Sequence, residues 1–410
     1  MTNISGQSRG EMRGYSEAAN SKPVIVVSGV NLTEMGGLSI LRDCLGYLSE
    51  CASDYHTVAL VHNKELAGVP NIEYHEFPLA KRSILARLYH EYWLFGKLSR
   101  QLNPYLWLSL HNTTPNVSAQ RRAVYCQNPS PFYDLSWREA LMQPRFAIVR
   151  TFMDMMYRIN LHRNTAIIVQ QEWMRRAFRQ RFAARNVVVA HPVLPELQAV
   201  RHQTAKSPAS PFVFFYPSHP TIKKNFEAVC DAARQLTKRG VTGFEVWLTF
   251  SPSVNRYARF ISKRCADLPQ IRFLGRLSRE EVFRRYTLTD CLLFPSKVET
   301  WGLAISEFKA FGRPMLVADE AYARETVGDH PCVAFFPSDS ATELARRMSE
   351  AIQGARTFER VEAPNIEPPV AHSWAELFDI LLDTKTLGSP QARAALFNNS
   401  SLSGATKLIR

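Results

Sequence analysis

The chain has 410 residues, 46% of them hydrophobic and 21% charged, which is enough apolar material for two domains rather than one. Its formal charge of +13 predicts an anionic partner such as nucleic acid, acidic lipid or a phosphorylated small molecule. No metal-finger spacing, aromatic RNA-binding strand or repeat accompanies that charge, so nucleic acid is not expected. No apolar run approaches the roughly 20 residues that a bilayer requires, which excludes a membrane-spanning segment.

The seven cysteines are scattered, odd in number and without a C-x-x-C pair. This pattern argues against a disulfide framework and against a zinc site. Residues 1–21 are polar and lack the apolar core of a signal peptide, so they are predicted to be a disordered N-terminal arm. These features favour a reducing, cytoplasmic location, and a peripheral position on the inner membrane face stays open.

The first half of the chain alternates short apolar strands with helical stretches. Residues 22–30 are predicted to form a buried strand, Gly36 and Gly37 lie in the loop after it, and residues 38–48 have helical leucine spacing. Further strands are predicted at Thr57–Val61, Leu106–Leu110, Ala123–Cys126 and Ala166–Val169. Residues 22–200 are therefore predicted to be a Rossmann-like domain with a doubly wound parallel sheet.

A polar segment rich in Ala, Ser and Pro, residues 201–211, is typical of a linker. The same alternation then returns, and predicts a second Rossmann-like domain over residues 212–371. Its strands are expected at Phe212–Tyr216, Phe244–Thr249, Ile271–Leu274, Cys291–Phe294 and Met315–Val317, with helices near 225–237 and 304–311. Residues 372–384 are interpreted as a C-terminal helix that could pack back on the first domain, and 385–410 as a disordered tail.

The fold class is thus α/β, with two parallel sheets facing a central cleft. Ligands of open α/β sheets bind outside the carboxyl ends of the strands, so we expect the site in that cleft.

The stretch FPSKVETWGLAISEFKAFGRPMLVAD, residues 294–319, carries the strongest functional signal. A strand ends in a Pro-Ser turn, and the chain then enters a helix that contains Glu307. Free N–H groups of Trp301, Gly302 and Leu303 at the start of that helix would suit a diphosphate. Glu299 precedes the helix and Glu307 lies two turns inside it, so one carboxylate could accept hydrogen bonds from a sugar and the other from a ribose.

The spacing Glu299-x7-Glu307, with Pro295-Ser296 before it and Gly302-Leu303 within it, resembles the donor-binding motif of the retaining glycosyltransferases with the GT-B fold, often called family 4. The resemblance extends loosely over residues 22–383. Supporting segments in chain order are Gly36-Gly37, residues 216–225 (YPSHPTIKKN), residues 273–277 (FLGRL) and Glu325 in RETVGD.

The resemblance implies a role for each matching position. Lys224 would neutralise the leaving diphosphate, Glu299 would contact the donor sugar, and Glu307 would contact the ribose. Gly36 and Gly37 would allow close backbone approach to the donor or acceptor. The remaining donor-binding candidates are Ser218, Lys223, Arg276, Leu277, Thr300, Trp301, Gly302 and Leu303. No cofactor is implied beyond the nucleotide-sugar co-substrate, and no metal is expected, since the chain has no D-x-D motif.

Two positions depart from the family pattern. Members commonly carry an arginine several residues before the phosphate lysine, where this chain has Ser218-His219, with Lys223 beside Lys224. Members also place a histidine after the strand predicted at Ala123–Cys126, where this chain has Gln127. His111, which follows the preceding strand, is a candidate to replace that histidine in catalysis.

A basic and aromatic stretch, residues 81–102, places apolar side chains along one helical face. It could rest on an anionic membrane surface, or it could be a core helix with solvated basic residues. Residues 146–163 and 173–185 make the first domain basic as a whole.

The sequence therefore predicts a hexosyltransferase that uses a GDP- or UDP-sugar donor and a glycan or lipid-linked acceptor in surface polysaccharide or lipopolysaccharide synthesis. The alternatives are a sugar-nucleotide epimerase or phosphorylase of similar fold, or a non-catalytic protein that binds nucleotide sugars or polyanions. A dinucleotide-binding oxidoreductase is disfavoured, because no G-x-G-x-x-G motif follows the first strand.

Overall fold

A computed structural model of the chain describes residues 22–33, 35–193, 210–355, 358–359, 361–362 and 364–383. Its strands form two sheets, one of eight strands in the order β14-β7-β6-β5-β4-β1-β2-β3 and one of six in the order β10-β9-β8-β11-β12-β13. The strand bounds are β1 Val24–Ser28, β2 His56–Val61, β3 Glu73–Glu76, β4 Leu106–Ser109, β5 Arg121–Cys126, β6 Ala166–Val169, β7 Val187–Ala190, β8 Phe212–Tyr216, β9 Phe244–Leu248, β10 Ile271–Phe273, β11 Cys291–Phe294, β12 Met315–Ala318, β13 Val333–Phe336 and β14 Val370–Ala371.

Fourteen α-helices lie between these strands in the described part of the chain. They are α1 Met35–Glu50, α2 Lys64–Ala67, α3 Ile84–Tyr89, α4 Phe95–Leu102, α5 Trp137–Met142, α6 Pro144–Arg158, α7 Glu172–Phe182, α8 Phe226–Lys238, α9 Arg256–Arg264, α10 Arg279–Leu288, α11 Leu303–Lys309, α12 Ala323–Val327, α13 Ala341–Ile352 and α14 Trp374–Leu382. The predicted fold class, α/β with two parallel sheets, is confirmed.

The described residues divide into two compact units, one of residues 22–108, 116–122 and 378–383 and one of residues 109–115 and 123–377. This division differs from the predicted domain limits, which stay a prediction. The predicted N-terminal arm and tail, and nearly all of the predicted linker, lie outside the described residues.

In the smaller unit, β1 and β2 pair in parallel with Val26 opposite Val58. Both valines are fully buried, in a core that also contains Phe95 and Trp107. The ring of Phe378 stacks on Tyr47 at a centroid distance of 5.3 Å. These strands are continuous apolar runs rich in β-branched residues, as expected where both faces of a sheet are covered.

The larger unit contains the six-stranded sheet, in which β8 and β11 are central neighbours. Its core is rich in aromatic rings, with Phe214, Phe215 and Tyr216 of β8 all fully buried. The carboxyl ends of β8 and β11 lie side by side because the strands are parallel. The loops that follow them, which carry Lys224 and Glu299, are thereby brought together.

Three local predictions need correction. The helix after β1 begins at Met35, so Gly36 and Gly37 lie in its first turn and not in a loop. Residues 84–102 are helical but contain a π-helical turn at His90–Leu94, between α3 and α4. The short strands β3, β7, β13 and β14 were not predicted. The sequence of β3, EYHE, is polar.

The expectation that the cysteines form no disulfide is wrong for one pair. Cys230 in α8 and Cys265 directly after α9 are disulfide-bonded. Sequence spacing gives no signal for this pair, since 35 residues separate the two cysteines and only the packing of α8 against α9 brings them together.

Among the described residues, no helix combines the length and the apolar character that crossing a bilayer requires.

Candidate functional site

The loop from β11 to α11 is held by buried hydroxyl groups. Ser296 is fully buried, its Oγ lies 2.8 Å from the Tyr216 hydroxyl, and its carbonyl accepts a hydrogen bond from the Tyr322 hydroxyl at 2.7 Å. Gly302 has a φ of 97°, in the region that favours glycine, and caps α11. The Pro-Ser turn and Gly302 therefore fix both ends of the segment that carries Glu299.

Glu299 is almost completely buried and forms an ion pair with Lys224. Lys224 ends a short 3-10 turn after β8, and its carbonyl accepts a hydrogen bond from the Tyr216 hydroxyl at 2.9 Å. Burial alone would raise the pKa of Glu299, but the charges of Lys224 and Lys223 and hydrogen bonds from Lys224 and Ser296 hold that pKa below its ordinary value. Glu299 is therefore an ionised acceptor of hydrogen bonds at neutral pH.

Several positive groups surround this carboxylate. Burial lowers the pKa of Lys223 to about 8. The positive charge of Lys224 adds to this shift, and the negative charge of Glu299 opposes it. The pKa of His219 is also lowered, first by burial and then by the charges of Arg276 and Lys224. The charges of Lys223 and Lys224 thus act on the Glu299 carboxylate, and those of Arg276 and Lys224 act on the His219 imidazole. Such a cluster is suited to an anion with more than one charge.

Glu307, in α11, points toward α10. Its carboxylate accepts hydrogen bonds from the Tyr286 hydroxyl at 3.1 Å and from Arg279 Nη2 at 3.3 Å. Burial raises the pKa of Glu307, and Arg279 and Tyr286 partly oppose that shift. A bound ribose would have to share this carboxylate with Arg279, whose own side chain is exposed.

The other predicted residues of this loop are placed in different ways. The indole of Trp301 is buried and donates a hydrogen bond to Ser306 Oγ at 2.8 Å, so its side chain belongs to the packing. Thr300 is partly buried, whereas Leu303 is exposed at the start of α11. Because α11 has only seven residues, its dipole adds little, and the predicted contact of its first N–H groups with a diphosphate stays a prediction.

Ser218 and Leu277 lie on two loops at the carboxyl edge of the six-stranded sheet. The backbone N–H of Ser218, after β8, donates to Thr249 Oγ1 at 3.0 Å. Leu277, after β10, is partly buried against the aromatic core, and Arg276 beside it is exposed. These loops follow β8 and β10, which are separated by β9 in the same parallel sheet, so both lie at its carboxyl edge, where ligands of this fold bind.

His111 and Gln127 follow β4 and β5. His111 is fully buried, with Nδ1 3.0 Å from Thr113 Oγ1. Gln127 donates through Nε2 to the carbonyl of Leu110 at 2.9 Å. Because His111 is fully enclosed, substrate could reach it only after its side chain became exposed. Its catalytic role stays a prediction.

Gly36 and Gly37 belong to the smaller unit. A Cβ added at Gly36 would meet no atom within 4 Å, and one at Gly37 would approach the Leu32 side chain at 3.0 Å. The backbone at Gly36 is thus open enough for close approach by a ligand, which stays a prediction.

Sequence reasoning placed Asn225 and Glu325 in the supporting segments but did not predict the contacts by which they order the site. Asn225 Nδ2 donates to the carbonyls of Pro295, at 3.2 Å, and Ser338, at 2.7 Å, and so ties the Lys224 turn to two other loops. Glu325 accepts hydrogen bonds from His191 Nε2 at 3.1 Å and from the Glu172 N–H at 2.9 Å. Their partners lie tens of residues away, so local pattern could not reveal them.

Comparison with known proteins gives one match to a sequence family. Residues 199–363 match the model of the family described as "Glycosyl transferases group 1". These residues include the whole six-stranded sheet, the Lys224 turn and the Glu299 loop. Among curated proteins, no sequence is significantly similar to this chain.

Many solved structures share the fold. A glycosyltransferase from Rickettsia africae has 12% identity and a TM-score of 0.60, with 90% of this chain and 97% of that chain covered. HepE from Anabaena, solved in complex with UDP-glucose, has 13% identity and a TM-score of 0.58, with 92% and 99% covered. WaaG, a glycosyltransferase involved in lipopolysaccharide biosynthesis, has 13% identity and a TM-score of 0.57, with 91% and 99% covered. At these identities, the likeness establishes the fold.

Proposed function

We propose that the chain is a glycosyltransferase that moves a hexosyl unit from a GDP- or UDP-sugar to a lipid-linked glycan with retained anomeric configuration. The match of residues 199–363 to the model of the glycosyl transferases group 1 family supports this activity. The ion pair of Lys224 and Glu299, set among further positive groups at the carboxyl ends of β8 and β11, carries this proposal.

The positive groups suit the diphosphate of the donor. When the bond between the sugar and the diphosphate breaks, negative charge develops on the leaving nucleoside diphosphate. A protonated Lys224, with Arg276 and Lys223 nearby, would stabilise that charge most strongly in the transition state. These side chains supply positive charge without a metal ion, and we propose that the reaction is metal-independent.

Glu299 would hold the sugar itself. Its ionised carboxylate can accept hydrogen bonds from two hydroxyls while Lys224 fixes its position. Glu307 would accept hydrogen bonds from the ribose hydroxyls while sharing its carboxylate with Arg279. HepE, a protein of this fold, binds UDP-glucose, which supports a nucleotide sugar as the donor here.

A lipid-linked acceptor fits the surface of both units. In the larger unit, α5 and α6 expose Trp137, Leu141 and Ile148 next to Arg138 and Arg145. In the smaller unit, α3 and the residues after it expose Ile84, Leu85, Tyr89 and Trp93 near Lys81, Arg82 and Lys97. Exposed apolar side chains beside basic ones are typical of surfaces that contact anionic lipid. WaaG, which shares the fold, is involved in lipopolysaccharide biosynthesis.

Donor turnover tests the proposal. Purified protein incubated with UDP-glucose or GDP-mannose should release the nucleoside diphosphate slowly to water even without acceptor. Glu299→Gln should reduce that release about 100-fold, a loss in the range for a group that acts mainly in the transition state. The matched control is Glu280→Gln, at an exposed position of α10, and it should keep the wild-type rate.

Each alternative predicts a different result. A sugar-nucleotide epimerase would convert the sugar without releasing the nucleotide. A non-catalytic binding protein would retain both donors unchanged. Undiminished release by Glu299→Gln would show that this residue does not hold the donor.

A further inference from the structure

A cavity of about 610 Å3 lies in the larger unit beside the Glu299 loop. Its lining comes from the segment after β5, from α7, and from the loops after β11 and β12. Lys297 and Val298, which directly precede Glu299, belong to that lining. The volume falls within the range of small-molecule pockets, roughly 300 to 1,000 Å3.

One side of the cavity is aromatic. Phe132, Tyr133 and Trp173 contribute to it, and the rings of Phe132 and Trp173 meet edge to face at 5.9 Å. The indole N–H of Trp173 donates to Gln171 Oε1 at 2.8 Å, and the amide of the fully buried Gln171 donates to the Tyr322 carbonyl at 3.0 Å. The Trp173 ring is therefore held in position, with its polar atom already satisfied.

The two cations that line the cavity are both in ion pairs. Lys297 pairs with Glu139 at 3.1 Å, and Arg181 pairs with Asp154 at 2.5 Å, so both cations already have anionic partners. The carboxylates of Asp134 and Glu320 complete the lining. A phosphate would find no unpaired cation among these side chains, whereas the carboxylates can accept hydrogen bonds from hydroxyls.

We infer that this cavity binds a neutral pyranose unit of the acceptor glycan, packed on Phe132, Tyr133 and Trp173 and hydrogen-bonded to Asp134 and Glu320. The C–H face of a pyranose packs on aromatic rings, and its hydroxyls pair with carboxylates, so a sugar matches both sides of the cavity. This inference rests on the proposed function, because it names a site for the acceptor of that reaction.

The cavity also lies in the right place for an acceptor. The N–H of Lys297 donates to the carbonyl of Lys223 at 2.9 Å, which joins the cavity wall to the turn that carries Lys224. Glu320 is hydrogen-bonded to Ser338, whose carbonyl accepts from Asn225, the residue after Lys224. A sugar in the cavity would therefore lie next to the residues proposed to hold the donor.

A cavity-filling variant tests the inference. Ala177 lines the cavity from α7, and Ala177→Trp should occupy the space that the sugar needs. Arg179→Trp is the control, since Arg179 is exposed on the same helix and is not part of the lining. The probes are lactose, maltose, cellobiose and chitobiose, with binding measured by saturation-transfer difference NMR. UDP binding is measured in the same samples by thermal shift.

At least one disaccharide should give saturable transfer to its ring protons with the wild type and with Arg179→Trp. Ala177→Trp should weaken that affinity at least 10-fold, and Glu320→Gln should weaken it by a smaller factor, while the UDP shift stays unchanged in all four proteins. Glu320→Gln leaves the cavity volume almost unchanged. It therefore tests the inference even if Ala177→Trp does not fold.

Three results would overturn the inference and leave the proposed function standing, provided that UDP still binds. They are the absence of any disaccharide signal with the wild type, an undiminished signal with Ala177→Trp and Glu320→Gln, and displacement of the sugar by inorganic pyrophosphate. Absence of the UDP shift in the wild type would instead count against the proposed function itself.

Discussion

The ion pair of Glu299 and Lys224 makes the free energy of unfolding vary with pH in the acid range. The folded-state pKa of Glu299 lies below its ordinary value, so the ionised carboxylate stabilises the folded protein above the unfolded pKa of about 4.5. That contribution is lost as the pH falls through the lower folded-state pKa. Removing a buried charge also leaves its partner uncompensated, which costs about 3 kcal/mol.

We therefore expect Glu299→Gln to be less stable than the wild type at pH 7, and the difference to shrink progressively below pH 4.5. Chemical unfolding followed across that range measures both effects. A difference in unfolding free energy that is independent of pH would show that the charge of Glu299 does not contribute.

Lys223 provides a separate test of the anion site. With its pKa lowered to about 8, it is partly neutral in the free protein near that pH. A bound diphosphate favours the protonated amine, so binding of UDP or GDP at pH 8 to 9 should be accompanied by proton uptake. Calorimetry in phosphate and Tris buffers measures the uptake from the difference in apparent enthalpy.

Lys223→Met should abolish the proton uptake, and Lys238→Met, at an exposed position of α8, should leave it unchanged. Equal apparent enthalpies in the two buffers with the wild-type protein would contradict the placement of the diphosphate beside Lys223.

Among the structural elements, the turn into α11 depends on a single backbone conformation. Gly302 has φ 97° and ψ 57°, outside the left-handed region that other residues tolerate, and a Cβ there would approach Ile305 and Phe294 at 3.3 to 3.4 Å. Gly312, after α11, has φ 61°, and a Cβ there would meet nothing within 4 Å. Replacing each glycine by alanine therefore compares a crowded position, Gly302, with an open one, Gly312.

Gly302→Ala should lower stability by about 2 kcal/mol and reduce donor turnover, because it displaces the segment that carries Glu299. Gly312→Ala should cost about 1 kcal/mol and leave turnover nearly unchanged. Thermal unfolding and nucleotide release measure the two effects. Equal losses of turnover in both variants would contradict the account of this turn.

The elements also show what local sequence can and cannot predict. The strands that flank the site, β8 and β11, were predicted because both are short apolar runs bounded by turns. The edge strand β3 was missed because half-exposed polar residues form it. The disulfide of Cys230 and the cavity walls at Phe132, Trp173 and Glu320 depend on tertiary packing between distant segments, which local pattern does not encode.

The site residues chosen from the motif stay a prediction as donor ligands. In the structure, the charges of Lys223 and Lys224 act on Glu299, and those of Lys224 and Arg276 act on His219. The burial of His111 and the hydrogen bond from Arg279 to Glu307 could not be predicted, because each depends on how one loop packs on another.

For the complete chain, the net charge of +13 and the exposed apolar residues of α5 and α6 predict adsorption to anionic membranes. The protein should cosediment with phosphatidylglycerol vesicles but not with phosphatidylcholine vesicles, and 0.5 M salt should weaken the binding. The double variant Trp137→Ser/Leu141→Ser should bind several-fold more weakly, because both side chains are about two-thirds exposed.

The control for this experiment is Val254→Ser, which replaces an exposed apolar residue between β9 and α9. It should bind like the wild type. Cosedimentation that is the same for neutral and anionic vesicles, or that the double variant leaves unchanged, would contradict a role for α5 in membrane contact.

The central claim is that the site formed by Glu299, Lys224 and Glu307 binds a nucleoside diphosphate. The most direct test is thermal stabilisation of the purified protein by UDP, GDP, ADP and NAD, repeated with Glu307→Ala and with Glu280→Ala as control. The account predicts a rise in melting temperature with UDP or GDP that Glu307→Ala loses and Glu280→Ala keeps. Stabilisation by NAD alone, or an equal rise in Glu307→Ala, would contradict it.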